Sequence, residues 1–257
     1  RSIPILAAKT PSTATAMEFR VSPPLALYVH VPWCVRKCPY CDFNSHEAAG
    51  AIPEAEYVAA LITDLQSALP LIWGRPLVSV FFGGGTPSLL SPAAVDELLA
   101  AFRALAMLSP EAEITLEANP GTVEAEKFAG FRAAGVNRLS LGIQSFNDAH
   151  LKALGRIHGA AEAKRAAQLA GDHFESFNLD LMNGLPGQTT EQALTDLETA
   201  LTFAPPHLSC YQLTLEPNTR FAAFPPALPE DDLCADMQDA IEARLAVAGY
   251  ANYETSA

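Results

Sequence analysis

"LALYVHVPWCVRKCPYCDF", residues 25–43, runs from a strand-like segment straight into a loop that holds Cys34, Cys38 and Cys41. Its first seven residues are rich in β-branched and aromatic side chains and stop at Pro32, which is the composition of a short strand. The three thiols that follow fall within eight positions, in a chain with five cysteines. Five is an odd number, and three of them are too crowded for an ordinary disulfide framework. Thiolates held for a metal in a reducing compartment are the better reading.

The step from strand to loop to helix recurs along the chain. "EAEYVAALITDLQSAL" (54–69) has apolar residues at helical spacing and acids in its first turn, and "LVSVFFG" (77–83) is a second strand. Ser91 and Pro92 then open a helix over 91–105, as N-cap and first helical residue. Further strands are expected over 112–118, 138–143, 176–182 and 208–215, separated by helices over 122–133, 147–154, 160–170 and 190–203. Six strands separated by helices imply parallel pairing through crossovers.

A doubly wound open sheet and a barrel both fit that alternation. The dinucleotide fingerprint G-x-G-x-x-G is missing after the first strand. Polar or glycine-rich residues sit at the C-terminal ends of many strands: the cysteine loop, Gly83 to Thr86, Glu117, Gln144 and Asp180. A barrel brings such ends to one mouth, whereas an open sheet concentrates them at one switch point, so the barrel is favoured.

The composition narrows the partners. With 29 acidic against 16 basic residues, the net charge of −13 opposes phosphate backbones, and nucleic acid is excluded as the expected partner. No stretch approaches the roughly 20 apolar residues of a membrane span. The Ala-, Ser- and Thr-rich residues 1–16 are expected to be a disordered or non-native leader outside the fold, with Met17 the functional start. Residues 17–220 are expected to form the barrel. Residues 221–257 are expected to be a Pro-rich linker, an amphipathic helix ending at Gly249 and the start of a truncated C-terminal domain.

Two metals suit the cysteine loop. A structural zinc wants a fourth ligand, to be drawn from Cys210, Cys234, His30 or His46. A [4Fe–4S] cluster ordinarily takes four thiolates, so three leave one iron open to an outside ligand. "CVRKCPYC" has the spacing C-x3-C-x2-C, which resembles the signature of the radical S-adenosylmethionine (SAM) superfamily, and it lies after the first strand as in that family. The resemblance implies an α/β fold, a partial (β/α)6 barrel of the TIM type, with Cys34, Cys38 and Cys41 holding the cluster and SAM chelating the open iron. It also implies SAM contacts from Tyr40, from the turn Gly84, Gly85 and Thr86 to the methionyl amine, and from Glu117 to the ribose hydroxyls. Gln144, Arg156 and Asp180 match further contacts, and Tyr28 and Thr214 match more weakly.

Taken without the resemblance, the triple glycine is a tight turn, Glu117 a helix-capping acid, and Arg156 a solvated helix residue. "NGLPGQT" (183–189) is a turn leading into a helix N-terminus.

The longer run "LYVHVPWCVRKCPYCDFNSHE" resembles the branch that contains heme chaperones and oxygen-independent coproporphyrinogen III dehydrogenases. The dehydrogenases carry a further cysteine two positions after the third, where this chain has Phe43. That difference points to the chaperones and makes a radical decarboxylase the alternative. The implied cargo is heme and the implied partners are heme-accepting apo-proteins and an electron donor. Membrane contact is expected only through a recipient protein, and the location is expected to be cytoplasmic. A His-Asn-x-x-Tyr-Trp heme motif of that branch is missing, and none of the six histidines is assigned to heme; His30 is noted for its place near the mouth.

Overall fold

The computed structural model of the chain describes residues 22–72, 74–122 and 125–255. The expected leader over 1–16 lies outside the described residues. The six strands all form: β1 (Leu25–Val31), β2 (Leu77–Gly84), β3 (Leu108–Ala118), β4 (Arg138–Gln144), β5 (Ser176–Asn183) and β6 (His207–Gln212). They pair in parallel in the order β1-β2-β3-β4-β5-β6, with β1 and β6 as the two edges. A doubly wound sheet reverses its strand order at a switch point; this one never reverses, and it is a partial barrel.

The helices between the strands are α1 (Glu54–Ile72), α2 (Pro92–Leu105), α3 (Ala125–Ala134), α4 (Asp148–Ala153), α5 (Ala160–His173) and α6 (Thr190–Leu201). After β6 come the single turn α7 (Arg220–Ala223) and the longer α8 (Asp231–Val247). One strand face packs on the helices. Val80, Phe82, Leu116, Leu139, Leu141, Ile143 and Leu179 are buried there with Leu98, Leu99 and Phe102 of α2 and Phe128 and Phe131 of α3. Helix starts are tied down as the sequence expects. The Ser91 hydroxyl accepts from the Ala94 N–H at 3.1 Å and donates to the Glu54 carboxylate at 2.7 Å, which links the starts of α1 and α2. Thr189 and Gln192 form a capping box on α6, so "NGLPGQT" is a turn and a helix start.

Some boundaries differ from expectation for identifiable reasons. β3 begins four residues earlier than 112, at Leu108, because the stretch around Pro110 enters the sheet through a bulge: Leu77 pairs with Leu108, yet Ser79 pairs with Glu113. β6 stops at Gln212, short of 215. Leu213 still donates to Asn183 O at 2.9 Å, after which Thr214 bonds to Glu216 and the chain leaves the sheet. The expected boundary at 220 falls between β6 and α8, and α8 buries Cys234, Met237 and Ile241, the last two within the main core.

The other strand face is polar. In the eight-stranded barrel this layer is filled by apolar branched side chains. Here Asn178 donates to the Ser140 hydroxyl at 2.8 Å and to Asp180 at 2.6 Å, and it accepts from Ser209 at 3.2 Å. The His207 ring lies 2.6 Å from Asn178 Oδ1 through Nδ1 and 2.6 Å from the Tyr253 hydroxyl through Nε2. Arg138 donates to Thr115 at 3.3 Å and stands 4.0 Å from Glu113. These bonds close the floor of the barrel.

Candidate functional site

The cysteine loop is laced to the ends of β1 and β2 by backbone. The Gly85 N–H donates to Val31 O at 2.6 Å and the Thr86 N–H to Trp33 O at 2.7 Å, while His46 and Ala48 donate to Pro32 O and Cys34 O. Lys37 spans the loop from within, its ammonium donating to Phe43 O at 2.9 Å and Ser45 O at 3.0 Å. A Cβ at Gly85 would lie 2.5 Å from Trp33 O. A close backbone approach that demands glycine at this position is therefore to the cysteine loop itself. Gly84 adopts φ +110, a conformation glycine allows, and a Cβ there would meet the His30 ring at 2.7 Å.

The three thiols open on one cavity of about 590 Å³. Its wall also carries Tyr40, Gly84, Gly85, Thr86, Glu117, Gln144, Arg156, Asp180 and Thr214, so twelve of the thirteen residues singled out from the sequence share one space. Tyr28 is the exception. It is 56% exposed, its ring stacks on Phe81, and its hydroxyl lies 3.1 Å from His30 Nδ1. His30 is also tied through Nε2 to Asn44 O at 2.8 Å, so its ring links the strand to the loop.

Of the four zinc candidates, His30 and His46 flank the cysteine loop, His30 through Asn44 O and the His46 backbone through Pro32 O, while the two cysteines lie elsewhere. Cys210 packs on the core side of β6, its thiol pushed up to about 12 by burial, and Cys234 is buried on α8. Among the described residues no three His, Cys, Asp or Glu side chains converge on a point that would hold a single ion. A cluster makes no such demand, because each thiolate binds a different iron.

Two carboxyls face each other across the cavity. Burial, and then the charge of Asp180, raise Glu117 to about 7, against a hydrogen bond from the Gly84 backbone. Burial raises Asp180 to about 6, against hydrogen bonds from Asn178, Ser140 and Ser209. The Glu117 carboxyl is thus tied to the end of β2. Gln144 ends β4 at φ +68, and its side chain accepts from the Tyr211 hydroxyl at 2.7 Å. The turn after it is clamped from α6: Asp196 accepts from the Ser145 hydroxyl at 2.5 Å and the Phe146 N–H at 2.8 Å.

Arg156 lies in the connection between α4 and α5, off any helix, and points inward. It donates to Asn119 Oδ1, to Gly142 O at 2.8 Å and to Cys38 Sγ at 3.5 Å. Its Nε is buried with no partner among the described residues. Asn119 in turn donates to Thr86 Oγ1 at 3.1 Å. Sequence reasoning passed over Asn119 and Tyr211. The first lies two residues after Glu117, and the second shares a strand face with Ser209 by the period of two, a signal that was there to use.

A partial barrel of six parallel strands, with a three-cysteine loop after the first strand and its chemically active side chains gathered at the strand ends, defines a class. The chain belongs to the radical SAM superfamily, which it matches over residues 28–200. More particularly, it is 56% identical over 236 residues to the heme chaperone HemW of Escherichia coli strain K12, covering 91% of this chain and 62% of that protein. It is 43% identical to the mitochondrial radical S-adenosyl methionine domain-containing protein 1 of Mus musculus, covering 90% of this chain and 53% of that one. Among solved structures it resembles coproporphyrinogen III oxidase (HemN) from Escherichia coli, a radical SAM enzyme, with a TM-score of 0.80 and 31% identity over 89% of this chain and 54% of that one. The chain therefore spans less than two thirds of the length of these curated relatives.

Membership in the superfamily implies a [4Fe–4S] cluster and SAM, and the residues present suit both. The cysteine loop offers three thiols to one cavity, the other two cysteines stand apart, and a buried guanidinium nitrogen on the same wall lacks a partner among the described residues.

Proposed function

We propose that this chain is the cluster- and SAM-binding core of a heme chaperone, a protein that binds heme and delivers it to apo-proteins. The observation that carries the reading is Phe43, 57% exposed on the cavity wall, in the place where the resembled dehydrogenases have a further cysteine. The 56% identity to a heme chaperone supports it.

On this reading Cys34, Cys38 and Cys41 hold the cluster, which supplies one-electron chemistry when bound. The protein's own side chains do the rest. Glu117, once deprotonated, accepts from both ribose hydroxyls, a carboxylate's natural bidentate role. The Gly84–Thr86 turn takes the methionyl amine, and Tyr40, Gln144, Arg156, Asp180 and Thr214 line the remainder, with Tyr28 at the margin. Heme is the cargo, and heme-accepting apo-proteins and an electron donor are the partners. The protein works in the cytoplasm and meets a membrane only through a recipient. Among the described residues no helix is long and apolar enough to cross one.

The second reading is a radical enzyme that decarboxylates coproporphyrinogen III, favoured by the likeness to HemN. Anaerobically reconstituted full-length protein is to be given SAM, reductant and coproporphyrinogen III, and separately heme followed by an apo-protein. The expected result is heme transfer without porphyrinogen turnover. Protoporphyrinogen formation would overturn the chaperone reading.

A further inference from the structure

The three cluster cysteines are not in equivalent surroundings. Cys41 is met by the Phe43 backbone and the Ser45 hydroxyl. Cys38 is met by a cation: Arg156 Nη1 donates to its sulfur at 3.5 Å, and the Tyr40 phenol interacts with both. The guanidinium is fixed from behind, with Nη2 held by Asn119 Oδ1 and Gly142 O, and Asn119 itself held by Thr86. Such a brace leaves it little freedom to turn from the thiol. In a chain of net charge −13, a permanent positive charge at this spot runs against the general field.

We propose that Arg156, seconded by Tyr40, is a positioning residue for Cys38 that sets the reduction potential of the cluster-loaded protein. This rests on the reading that the three cysteines hold a cluster. One electron enters from a reduced flavin or iron–sulfur protein, or from dithionite in the test tube. That donor is oxidised by one electron, no bond is made or broken and no proton moves. The added negative charge spreads onto the thiolate sulfurs. A fixed cation and a hydrogen bond at one sulfur favour the reduced state more than the oxidised one, so they raise the potential. Arginine suits the task because its guanidinium does not deprotonate in proteins, so the compensation persists at every working pH.

The test leaves SAM out, so that any contact of Arg156 with SAM cannot contribute. Wild type, Arg156→Gln, Arg156→Lys and Tyr40→Phe are reconstituted, their iron and sulfide counted, and each is titrated by EPR against solution potential. At the wild-type midpoint, Arg156→Gln should show a tenfold smaller reduced-to-oxidised ratio, which is 59 mV for a one-electron couple. Arg156→Lys should fall between the two, and Tyr40→Phe should shift the same way by less. An unchanged midpoint in iron-replete Arg156→Gln overturns the proposal. If Arg156→Gln fails to hold iron, the other two variants decide, and unchanged midpoints in both overturn it. A wild type that takes up no iron overturns the cluster reading and this proposal with it.

Discussion

The mouth and the floor of this barrel are built from the same strands and the same inward face, yet they treat polar groups in opposite ways. At the floor the groups answer one another: Asn178 gives its amide protons to Ser140 and Asp180 and takes bonds from Ser209 and His207, while Arg138 bonds to Thr115. At the mouth they are left wanting. Glu117 is raised to about 7 by burial, and Arg156 keeps a buried nitrogen without a partner among the described residues. Satisfied buried polar groups rigidify, whereas unsatisfied ones are costly and persist where a ligand completes them. Substitutions at the mouth should therefore cost ligand and spare the fold, and substitutions at the floor should do the reverse.

The largest break of that contrast is expected at the cysteines. Replacing Cys34, Cys38 or Cys41 singly by Ala should abolish the broad visible absorbance of reconstituted protein, while Cys210→Ala and Cys234→Ala should keep it, since both lie away from the cavity. Gly85→Val belongs with the first group, because its side chain would collide with Trp33 O and loosen the loop. Equal loss of absorbance from Cys210→Ala would dissolve the division between mouth and core.

Next comes the floor. Asn178→Ala should lower the unfolding free energy by about 3 kcal/mol in a denaturant titration, because several buried groups lose their partner at once and each costs about 1–3 kcal/mol. SAM binding at saturating protein concentration should weaken only modestly, because Asp180 on the cavity wall loses its bond from Asn178 but keeps those from Ser140 and Ser209. A fall in SAM affinity larger than the fall in stability would erase the difference between the two ends.

How much of this was legible in the sequence follows the same division. The mouth announces itself through residue type and spacing: three cysteines in eight positions, three successive glycines, an acid at a strand end. The floor does not, because serine, asparagine and histidine within strands acquire meaning only from neighbours that register brings together, as Asn178 meets His207 and Ser140 across two strand pairs. Arg156 shows the limit of pattern reading. Without the resemblance it reads as a solvated helix residue, and only the resemblance counts it among the SAM contacts; α4 ends at Ala153 and Gly155 turns the chain at φ +70, which carries the arginine inward. β3 reaches back past Pro110 to Leu108, four residues before the expected start, and the bulge that absorbs the proline is a property of the pairing with β2, which no single segment displays.

The third effect sharpens the mouth. On the proposed reading Glu117→Ala removes an acceptor for two hydroxyls, and it should cost about 1–3 kcal/mol, or roughly 5- to 150-fold in SAM affinity, with iron content unchanged. A carboxyl raised in the folded state holds its proton more tightly there than when unfolded. Its contribution to stability is present below the ordinary value of 4.5 and is lost as pH rises through about 7. Asp180, raised from 3.8 to about 6, acts in the same direction. Glu117→Gln should flatten the decline of stability across that window. The ratio of wild-type to Glu117→Gln affinity for SAM should rise as pH passes about 7, and comparing the two proteins at each pH cancels the titration of SAM itself. A ratio independent of pH would mean that the Glu117 charge does no work on the ligand.

The smallest effect is expected where the floor reaches solvent. Tyr253 is 74% exposed, but its hydroxyl lies 2.6 Å from His207 Nε2 and its ring meets the imidazole edge-on at 5.5 Å between centroids. Because Asn178 Oδ1 can only accept, His207 donates from Nδ1, and the neutral ring then accepts the Tyr253 proton at Nε2. Burial and the charge of Arg138 hold the His207 pKa below its ordinary value, which keeps that tautomer in place near neutrality. Tyr253→Phe retains the ring contact and deletes one hydrogen bond, so it should cost about 0.5–1 kcal/mol of stability and leave SAM affinity untouched. The imidazole should then gain protons more readily, because Nε2 is freed to take one from water, and its NMR titration midpoint should move upward. If Tyr253→Phe instead weakens SAM binding as much as Glu117→Ala does, floor and mouth are energetically one unit, and the contrast between them fails at its most remote residue.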